Sequence, residues 1–246
     1  MAYPEMESSR RRIEIIDALR GLSVVLMVIH HLLYNIWQFL GGPSWLFTNP
    51  VFDILHYLFA GLFIFLSGVS SRFSHDNIKR GAIVTVFAVI ITYVTVRVID
   101  MPIWFGILHL LGFSMLFYGL TQKLWNIIPK FIAPVLYIAG IVFSVIVLNN
   151  YALTSDIVWI RDGLWILGWR QTGYSSRDYF PILPWIFVFL LGTSAGWYIR
   201  ERKLPPRFYS IKPLFFPAVG RKALLIYLLH QPVLYGLTML WLYYRG

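Results

Sequence analysis

Residues 15–39 of the chain read IIDALRGLSVVLMVIHHLLYNIWQF, an apolar run broken mainly by an aspartate, an arginine and two adjacent histidines. At a rise of about 1.5 Å per residue, a helix of this length crosses the roughly 30 Å hydrocarbon core of a bilayer. Ionisable rings inside such a helix need polar partners, so they mark a candidate functional site. The stretch therefore predicts both a membrane helix and a buried polar site.

Six further apolar stretches approach spanning length and predict an all-α fold, a polytopic transmembrane bundle of about seven spans. They lie at residues 51–71, 81–99, 103–121, 131–149, 181–199 and 219–244. Because 58% of the residues are hydrophobic and only 13% are charged, the composition excludes an ordinary soluble protein. We interpret residues 1–246 as one transmembrane domain, with a polar segment at 1–13 and an external loop at 150–180 that could cap a site.

Lysines and arginines are distributed unequally between the two predicted sides of the membrane. All but five of the 21 fall on the side of the N-terminus, and those five are Arg97, Arg161, Arg170, Arg177 and Arg245. The positive-inside rule then predicts a cytoplasmic N-terminus and an external C-terminus. Since this topology accounts for the net charge of +10, we predict a lipid bilayer as the surroundings and no nucleic-acid partner. No cleavable signal precedes the first span, so we expect it to remain as an anchor.

Histidines are concentrated in the predicted spans. Five of the six lie there, namely His30, His31, His56, His109 and His230. The topology brings rings from the first, second and fourth spans to a similar depth near the outer side. Asp53 and His56 share a helix face, so the carboxylate could fix the imidazole tautomer. A single membrane histidine more often only bonds helices together, but the clustering favours a site. The predicted reactive residues are His31, Asp53, His56 and His109.

A second polar set lies at the predicted cytoplasmic ends of the helices. Asp17 and Arg20, three residues apart, can form a local ion pair. Basic groups at helix ends could hold a phosphorylated cofactor, and ordinary positive-inside anchoring is the alternative. The candidate cofactor-binding residues are Asp17, Arg20, Arg72, Arg80, Arg221, Lys222 and His230. Of these, His230 precedes Gln231 and Pro232, so it lines the cavity from below or stabilises a proline kink.

Four blocks of the sequence resemble the catalytic-domain family of heparan-α-glucosaminide N-acetyltransferase. They are IDALRGLSVVLM at 16–27, FIFLSGVSS at 63–71, FGILHLLG at 105–112 and LLIYLLHQP at 224–232. The resemblance implies a transmembrane N- or O-acetyltransferase with acetyl-CoA from the cytoplasm as co-substrate. Its acceptor would be a small molecule, an amino sugar or another glycan on the external side. The bacterial members of the family lead us to expect the cytoplasmic membrane of a bacterium or archaeon.

The chain departs from the lysosomal members of that family in two respects. Those members carry a histidine assigned to catalysis in the first external segment, and residues 41–49 of this chain contain none. His31 falls where they have an active-site asparagine, which makes it the nearest candidate for a replacement. The chain also lacks a large soluble glycan-binding domain, so heparan sulfate is not the expected acceptor. Fold and family leave the substrate open.

Two other classes of function use the same histidines. A b-type haem could be bound between His31 and His109 or between His56 and His109, and a transporter or proton pathway could be built on the cluster. The absence of cysteine excludes disulfides, a thiolate nucleophile, iron–sulfur clusters and cysteine-ligated zinc or haem. We predict no metal site. The sequence leaves open whether transfer is direct or passes through an acyl-histidine, and whether the chain forms a homodimer.

Overall fold

The structure, a computed structural model, describes residues 13–97, 102–150, 163–169 and 178–245, apart from the side chains of Leu46 and Thr48. All regular structure in this part of the chain is helical, which confirms the predicted fold class. The helices in chain order are α1 (Glu14–Leu40), α2 (Trp45–Thr48), α3 (Pro50–Ser71), α4 (Asn77–Arg97), α5 (Ile107–Ile127), α6 (Ala133–Asn150), a 3₁₀ turn (Leu164–Ile166), α7 (Ile182–Arg200), α8 (Pro206–Ser210), α9 (Phe216–Arg221) and α10 (Ala223–Arg245).

Six of the described helices, α1, α3, α4, α6, α7 and α10, are long and apolar enough to cross a membrane. The remaining predicted span, 103–121, forms α5, whose 21 residues suffice in length. It falls outside those six because polar residues, among them His109, Gln122 and Lys123, lower its hydropathy. The last span begins at Ala223, later than predicted, since the helix breaks at Lys222. The cytoplasmic placement of the N-terminus stays a prediction.

The chain divides into two compact units. Unit 1 comprises the described residues of Met1–Phe63 and Leu204–Gly246, and unit 2 those of Ile64–Lys203. The prediction of a single domain is not tested by this division.

In unit 1, α1 packs against α9 and α10. Glycines make the contact between α1 and α9. A Cβ atom at Gly21 would lie 2.2 Å from the carbonyl oxygen of Phe216, and one at Gly220 would lie 1.7 Å from that of Asp17. Backbone therefore touches backbone, which no residue other than glycine allows here. This contact fixes the register of α1 against α9 and hence against the start of α10.

In unit 2, glycines of α3 and α7 allow the same kind of close backbone contact. A Cβ atom at Gly68 of α3 would lie 2.0 Å from the carbonyl oxygen of Phe189, and one at Gly192 of α7 would lie 2.0 Å from that of Phe65. The small residues of the 63–71 block thus let α3 and α7 approach closely. The predicted cap at 150–180 lies largely outside the described residues. In its described part, the Phe180 N–H donates to the carbonyl of Phe105, two residues before α5, at 2.9 Å.

Candidate active site

Two histidines from opposite ends of the chain form a hydrogen-bonded pair in unit 1. Nδ1 of His31, on α1, lies 3.0 Å from Nε2 of His230, on α10. Nδ1 of His230 lies 2.6 Å from the backbone carbonyl oxygen of Tyr227. A carbonyl only accepts, so His230 carries its proton on Nδ1 and its neutral ring accepts at Nε2. With both rings neutral, His31 then donates from Nδ1, which leaves Nε2 of His31 with a lone pair, as a general base requires.

Aromatic packing surrounds His230 and keeps it away from water. Its side chain is buried, and its ring centroid lies 5.4 Å from that of Tyr227. The Tyr227 ring in turn stacks on Phe63 at 6.1 Å with an interplanar angle of 8°. An apolar shell strengthens hydrogen bonds inside it, because the effective dielectric constant is low. The pair is therefore held rigidly, with the His230 tautomer set by the backbone.

A second histidine pair adjoins the first and completes what we call the histidine cluster, His30, His31, His56 and His230. The rings of His30 and His56 stack at 4.4 Å with an interplanar angle of 16°. The His30 ring lies 5.7 Å from that of His31 and 5.4 Å from that of Phe47. The structure thus places the rings of both adjacent histidines, His30 and His31, in one cluster.

Two amide groups next to His31 and His230 have buried polar atoms without a described partner. They are Nδ2 of Asn35, a side chain only 2% exposed, and Oε1 of Gln231. Asn35 follows His31 by one turn of α1, and Gln231 follows His230 directly. Buried polar groups are normally hydrogen-bonded, and those that are not call for an explanation. Near His31 and His230 in the sequence, the two amides thus leave one donor and one acceptor unsatisfied among the described groups.

Asp53 and His56, the predicted acid–base pair, lie in the first two turns of α3. Asp53 is exposed in the first turn of α3. His56 is half-buried, and its ring lies against those of His30 and Tyr57. The structure thus brings His56 to the cluster through stacking, and its pairing with Asp53 stays a prediction.

His109 belongs to unit 2 and caps a helix. Its Nδ1 accepts from the Gly106 N–H at 3.2 Å at the start of α5. Its Nε2 lies 3.0 Å from Oγ1 of Thr92, whose own hydrogen goes to the Ile103 carbonyl at 2.6 Å. Both ring nitrogens are therefore engaged, the Nε2 nitrogen as a donor. A catalytic role for His109 stays a prediction, and we leave it out of the reactive set proposed below.

Asp178 supports the same helix start and was not singled out from the sequence. Its Oδ2 accepts from the Ile107 N–H at 3.3 Å, which satisfies a further free donor at the N-terminus of α5. Sequence spacing indicates this role only weakly, because Asp178 lies in the long loop and only the fold brings it to α5.

The engagement of His109 bears on the haem alternative. Both predicted ligand pairs include His109, whose two ring nitrogens are hydrogen-bonded, so binding to iron would break one of these hydrogen bonds. Within the described ranges, no group of three or more histidine, aspartate and glutamate side chains is arranged to hold a metal ion.

Among the candidate cofactor-binding residues, four come together at one end of unit 1. Arg20 Nη1 and Asp17 Oδ1 lie 3.0 Å apart, which confirms the predicted ion pair. Exposed Arg221 and Lys222 directly follow Gly220, whose backbone abuts the Asp17 carbonyl. His230 lies in the histidine cluster instead.

Arg72 and Arg80 lie in unit 2, at the end of α3 and the start of α4. Arg72 Nη1 donates to Tyr118 Oη at 3.0 Å and to Asn126 Oδ1 at 2.9 Å. Their cofactor role stays a prediction.

Comparison with known proteins supports the resemblance seen in the four sequence blocks. The family described as heparan-alpha-glucosaminide N-acetyltransferase, catalytic, matches residues 12–232. No curated protein and no solved structure matches the chain. The matched region contains every member of the histidine cluster, the whole of α1 and the first part of α10. With a match over most of its length, the chain belongs to the heparan-alpha-glucosaminide N-acetyltransferase catalytic family, a family of membrane acetyltransferases.

Proposed function

We propose that the protein transfers an acetyl group from cytoplasmic acetyl-CoA to an amine or hydroxyl of an amino sugar, another glycan or a small molecule on the external side. The observation that carries this proposal is the hydrogen bond between His31 Nδ1 and His230 Nε2, 3.0 Å long. It gives His31 the tautomer whose Nε2 can accept a proton. The acetyltransferase family supplies the reaction class, and the localisation is the predicted cytoplasmic membrane.

In this proposal His31 is the general base. Its Nε2 takes the proton of the acceptor N–H or O–H, while the acceptor's electron pair forms the bond to the acetyl carbon. The thioester C–S bond breaks, and the leaving CoA thiolate takes up the proton that His31 removed from the acceptor. His230 is a positioning residue, because its Nε2 receives the hydrogen bond from the positively charged His31 ring. A general base contributes about 10²- to 10⁴-fold to such a reaction.

Asn35 is the candidate donor to the carbonyl oxygen, on which negative charge develops during transfer. Its Nδ2 is buried and has no described partner, and it lies one helical turn from His31. A fixed donor for such an oxygen is worth about 10²- to 10³-fold in rate. The amide thus has the chemistry that the transfer needs.

Arg20, Arg221 and Lys222 are the candidate residues for the phosphates of CoA. They lie at one end of unit 1, and α1 leads from Arg20 to His31. Eleven residues of helix span about 16 Å, so the phosphates and the acetyl group of an extended cofactor would occupy separate places. Guanidinium and ammonium groups suit phosphate oxygens.

The segment at 41–49 bears on how this member differs from the lysosomal ones. It carries no histidine, and its Phe47 packs edge-on against His30. We therefore assign the base to His31 on α1. An acyl-histidine at His31 Nε2 is the two-step alternative to direct attack.

A proton pathway is the second candidate function, and one observation favours it. The chain from the Tyr227 carbonyl through His230 to His31 is a continuous hydrogen-bonded line in a membrane helix pair. Such histidine chains can relay protons.

The experiment is calorimetry with acetyl-CoA on detergent-purified protein, followed by transfer of radiolabelled acetyl to glucosamine, N-acetylglucosamine and their glycosides. His31→Gln should bind acetyl-CoA normally and lose transfer. Arg221→Gln with Lys222→Gln should weaken binding about tenfold or more. The control, Arg207→Gln, changes an exposed cation on α8 and should change neither.

Failure of the wild-type protein to bind millimolar acetyl-CoA would overturn the proposal. Proton flux in liposomes lost in His31→Gln would then support the second candidate.

A further inference from the structure

Three cations lie together in unit 2, Arg72 at the end of α3, Lys130 between α5 and α6, and Arg200 at the end of α7. We call them the basic cluster. Lys130 Nζ donates to the Asn126 carbonyl at 3.1 Å, and Arg72 Nη1 donates to the side chain of that asparagine at 2.9 Å. Arg200 Nη1 donates to the Arg72 carbonyl at 3.3 Å. The three positive charges are thus tied to neighbouring atoms.

Within the part of the chain that the structure describes, no carboxylate forms an ion pair with any of these three cations. The hydrogen bonds described for the three cations go to neutral oxygens, including the buried Tyr118 hydroxyl. Arg72 Nε is closed off from solvent and has no described hydrogen-bond partner. Leaving a charged donor buried without a partner is costly. The cluster is therefore incomplete as a purely internal arrangement.

The electrostatics of Lys130 agree with that geometry. Partial burial, and then the neighbouring positive charge of Arg72, lower the pKa of the Lys130 ammonium from its ordinary value. Two neighbouring cations that repel each other and form no ion pair with a carboxylate are typical of an anion-binding site.

Ordinary structural roles explain each cation alone but not the three together. Lys130 satisfies carbonyls at the C-terminus of α5, since its Nζ also reaches those of Trp125 and Ile128 at 3.4 Å. Arg72 and Arg200 lie on the predicted cytoplasmic side, where arginine is common. Neither role requires the three side chains to converge without a carboxylate.

We propose that the basic cluster binds a phosphate group, carried by an anionic phospholipid or by a soluble phosphate ester. Guanidinium groups match phosphate oxygens in geometry, and an ammonium group adds a point charge. Ile127 and Phe131, 76% and 74% exposed beside Lys130, offer an apolar surface for acyl chains, as basic pockets at the ends of membrane helices do for lipids. The inference involves no histidine and does not rest on the proposed acetyl transfer.

Two probes distinguish the sources of the phosphate. Binding of added phosphatidylglycerol to the detergent-purified protein is measured by native mass spectrometry, with phosphatidylcholine as the neutral comparison. Glycerol 3-phosphate, which carries a phosphate ester but no part of CoA, is titrated by calorimetry. A lipid site binds the first probe above phosphatidylcholine, and a soluble-ester site binds the second.

The variants Lys130→Gln and Arg200→Gln each remove one cation, and the control Lys123→Gln removes an exposed lysine on α5. We expect the probe that binds to lose about tenfold in affinity in each cluster variant, the value of one charge-assisted bond, and less than about twofold in the control. Arg72→Gln should lose more, and circular dichroism checks that it folds.

The proposal is overturned if neither probe binds, or if binding falls equally in Lys123→Gln. Because the readout is binding and not acetyl transfer, a failure here is distinct from a failure of the proposed function.

Discussion

The Nδ1 atom of His31 lies 3.0 Å from the Nε2 atom of His230, across 199 residues of sequence. If His230 positions His31, the rate of acetyl transfer should depend on a hydrogen-bond acceptor at the position of His230 Nε2. We predict that His230→Phe lowers the rate of acetyl transfer about 10²-fold at unchanged KM for acetyl-CoA. His230→Gln, whose amide oxygen can still accept from His31, should recover part of the rate. Equal losses in the two variants would show that His230 only fills space.

A substitution at Asn35 can distinguish a functional role of this residue from a structural one. Its buried Nδ2 lacks a described partner, so Asn35→Leu removes an unsatisfied donor and should leave thermal stability unchanged or higher. Transfer should nevertheless fall about 10²- to 10³-fold, because the donor to the carbonyl oxygen is gone. Thermal unfolding and initial rates on the same preparation check this. A variant that is both unstable and inactive would argue that Asn35 is simply part of the packing.

Gly220 should tolerate no side chain. A Cβ atom there would lie 1.7 Å from the Asp17 carbonyl oxygen, so Gly220→Ala must separate α1 from α9 and should cost about 3 kcal/mol. Gly236→Ala is the matched control on α10, where a Cβ atom meets nothing within 4 Å. It should stabilise the helix by about 0.5–1 kcal/mol. Chemical unfolding in detergent, followed by circular dichroism, measures both, and similar values for the two glycines would contradict the packing argument.

His109 should act on stability and not on chemistry. His109→Ala removes an acceptor from the Gly106 N–H and a donor to Thr92, and we expect a loss of about 1 kcal/mol, as for other helix caps. Asp178→Asn should weaken the same helix start. The rate of transfer per folded molecule should stay near wild type in both. Loss of transfer in a fully stable His109→Ala protein would return this residue to the reactive set.

Lys130 should respond to the charge of Arg72. Burial and Arg72 lower its pKa, so Arg72→Gln should raise that pKa towards the ordinary lysine value. With a lowered folded pKa, the unfolded chain binds the proton more tightly, and the contribution of Lys130 to stability grows as the pH rises from its folded pKa towards the ordinary value. The pH dependence of Lys130 labelling by trinitrobenzenesulfonate, read by peptide mass spectrometry, measures the shift, with exposed Lys123 as reference. An unchanged profile would mean that Arg72 lies too far away to matter.

Much of the fold follows from patterns within single helices. The apolar runs predicted the membrane helices because length and composition suffice to define a span. The Asp17–Arg20 pair was predicted because residues three apart share a helix face. Its ion pair at 3.0 Å depends on α1 alone. Local sequence spacing is enough for such features.

The site itself depends on contacts between helices, which spacing does not give. The partner of His31 was missed because the register between α1 and α10 is set by the contact of Gly21 and Gly220 with opposing backbone. Asn35 carried a readable signal, an amide four residues after His31 in an apolar span, but an amide indicates a site less strongly than an ionisable group does. His109 was predicted as reactive from its depth alone, whereas its two hydrogen bonds involve a loop and a neighbouring helix.

The pairing of α1 with α10 also has a consequence for biosynthesis. Among the described helices α1 leaves the ribosome first and α10 last, so His31 enters the bilayer well before its hydrogen-bond partner exists. Until α10 arrives, the polar groups of α1 need a temporary partner, such as water, lipid headgroups or the insertion machinery. The candidate base therefore reaches its working tautomer only when membrane insertion of the last helix is complete, so that an unfinished chain would be inert.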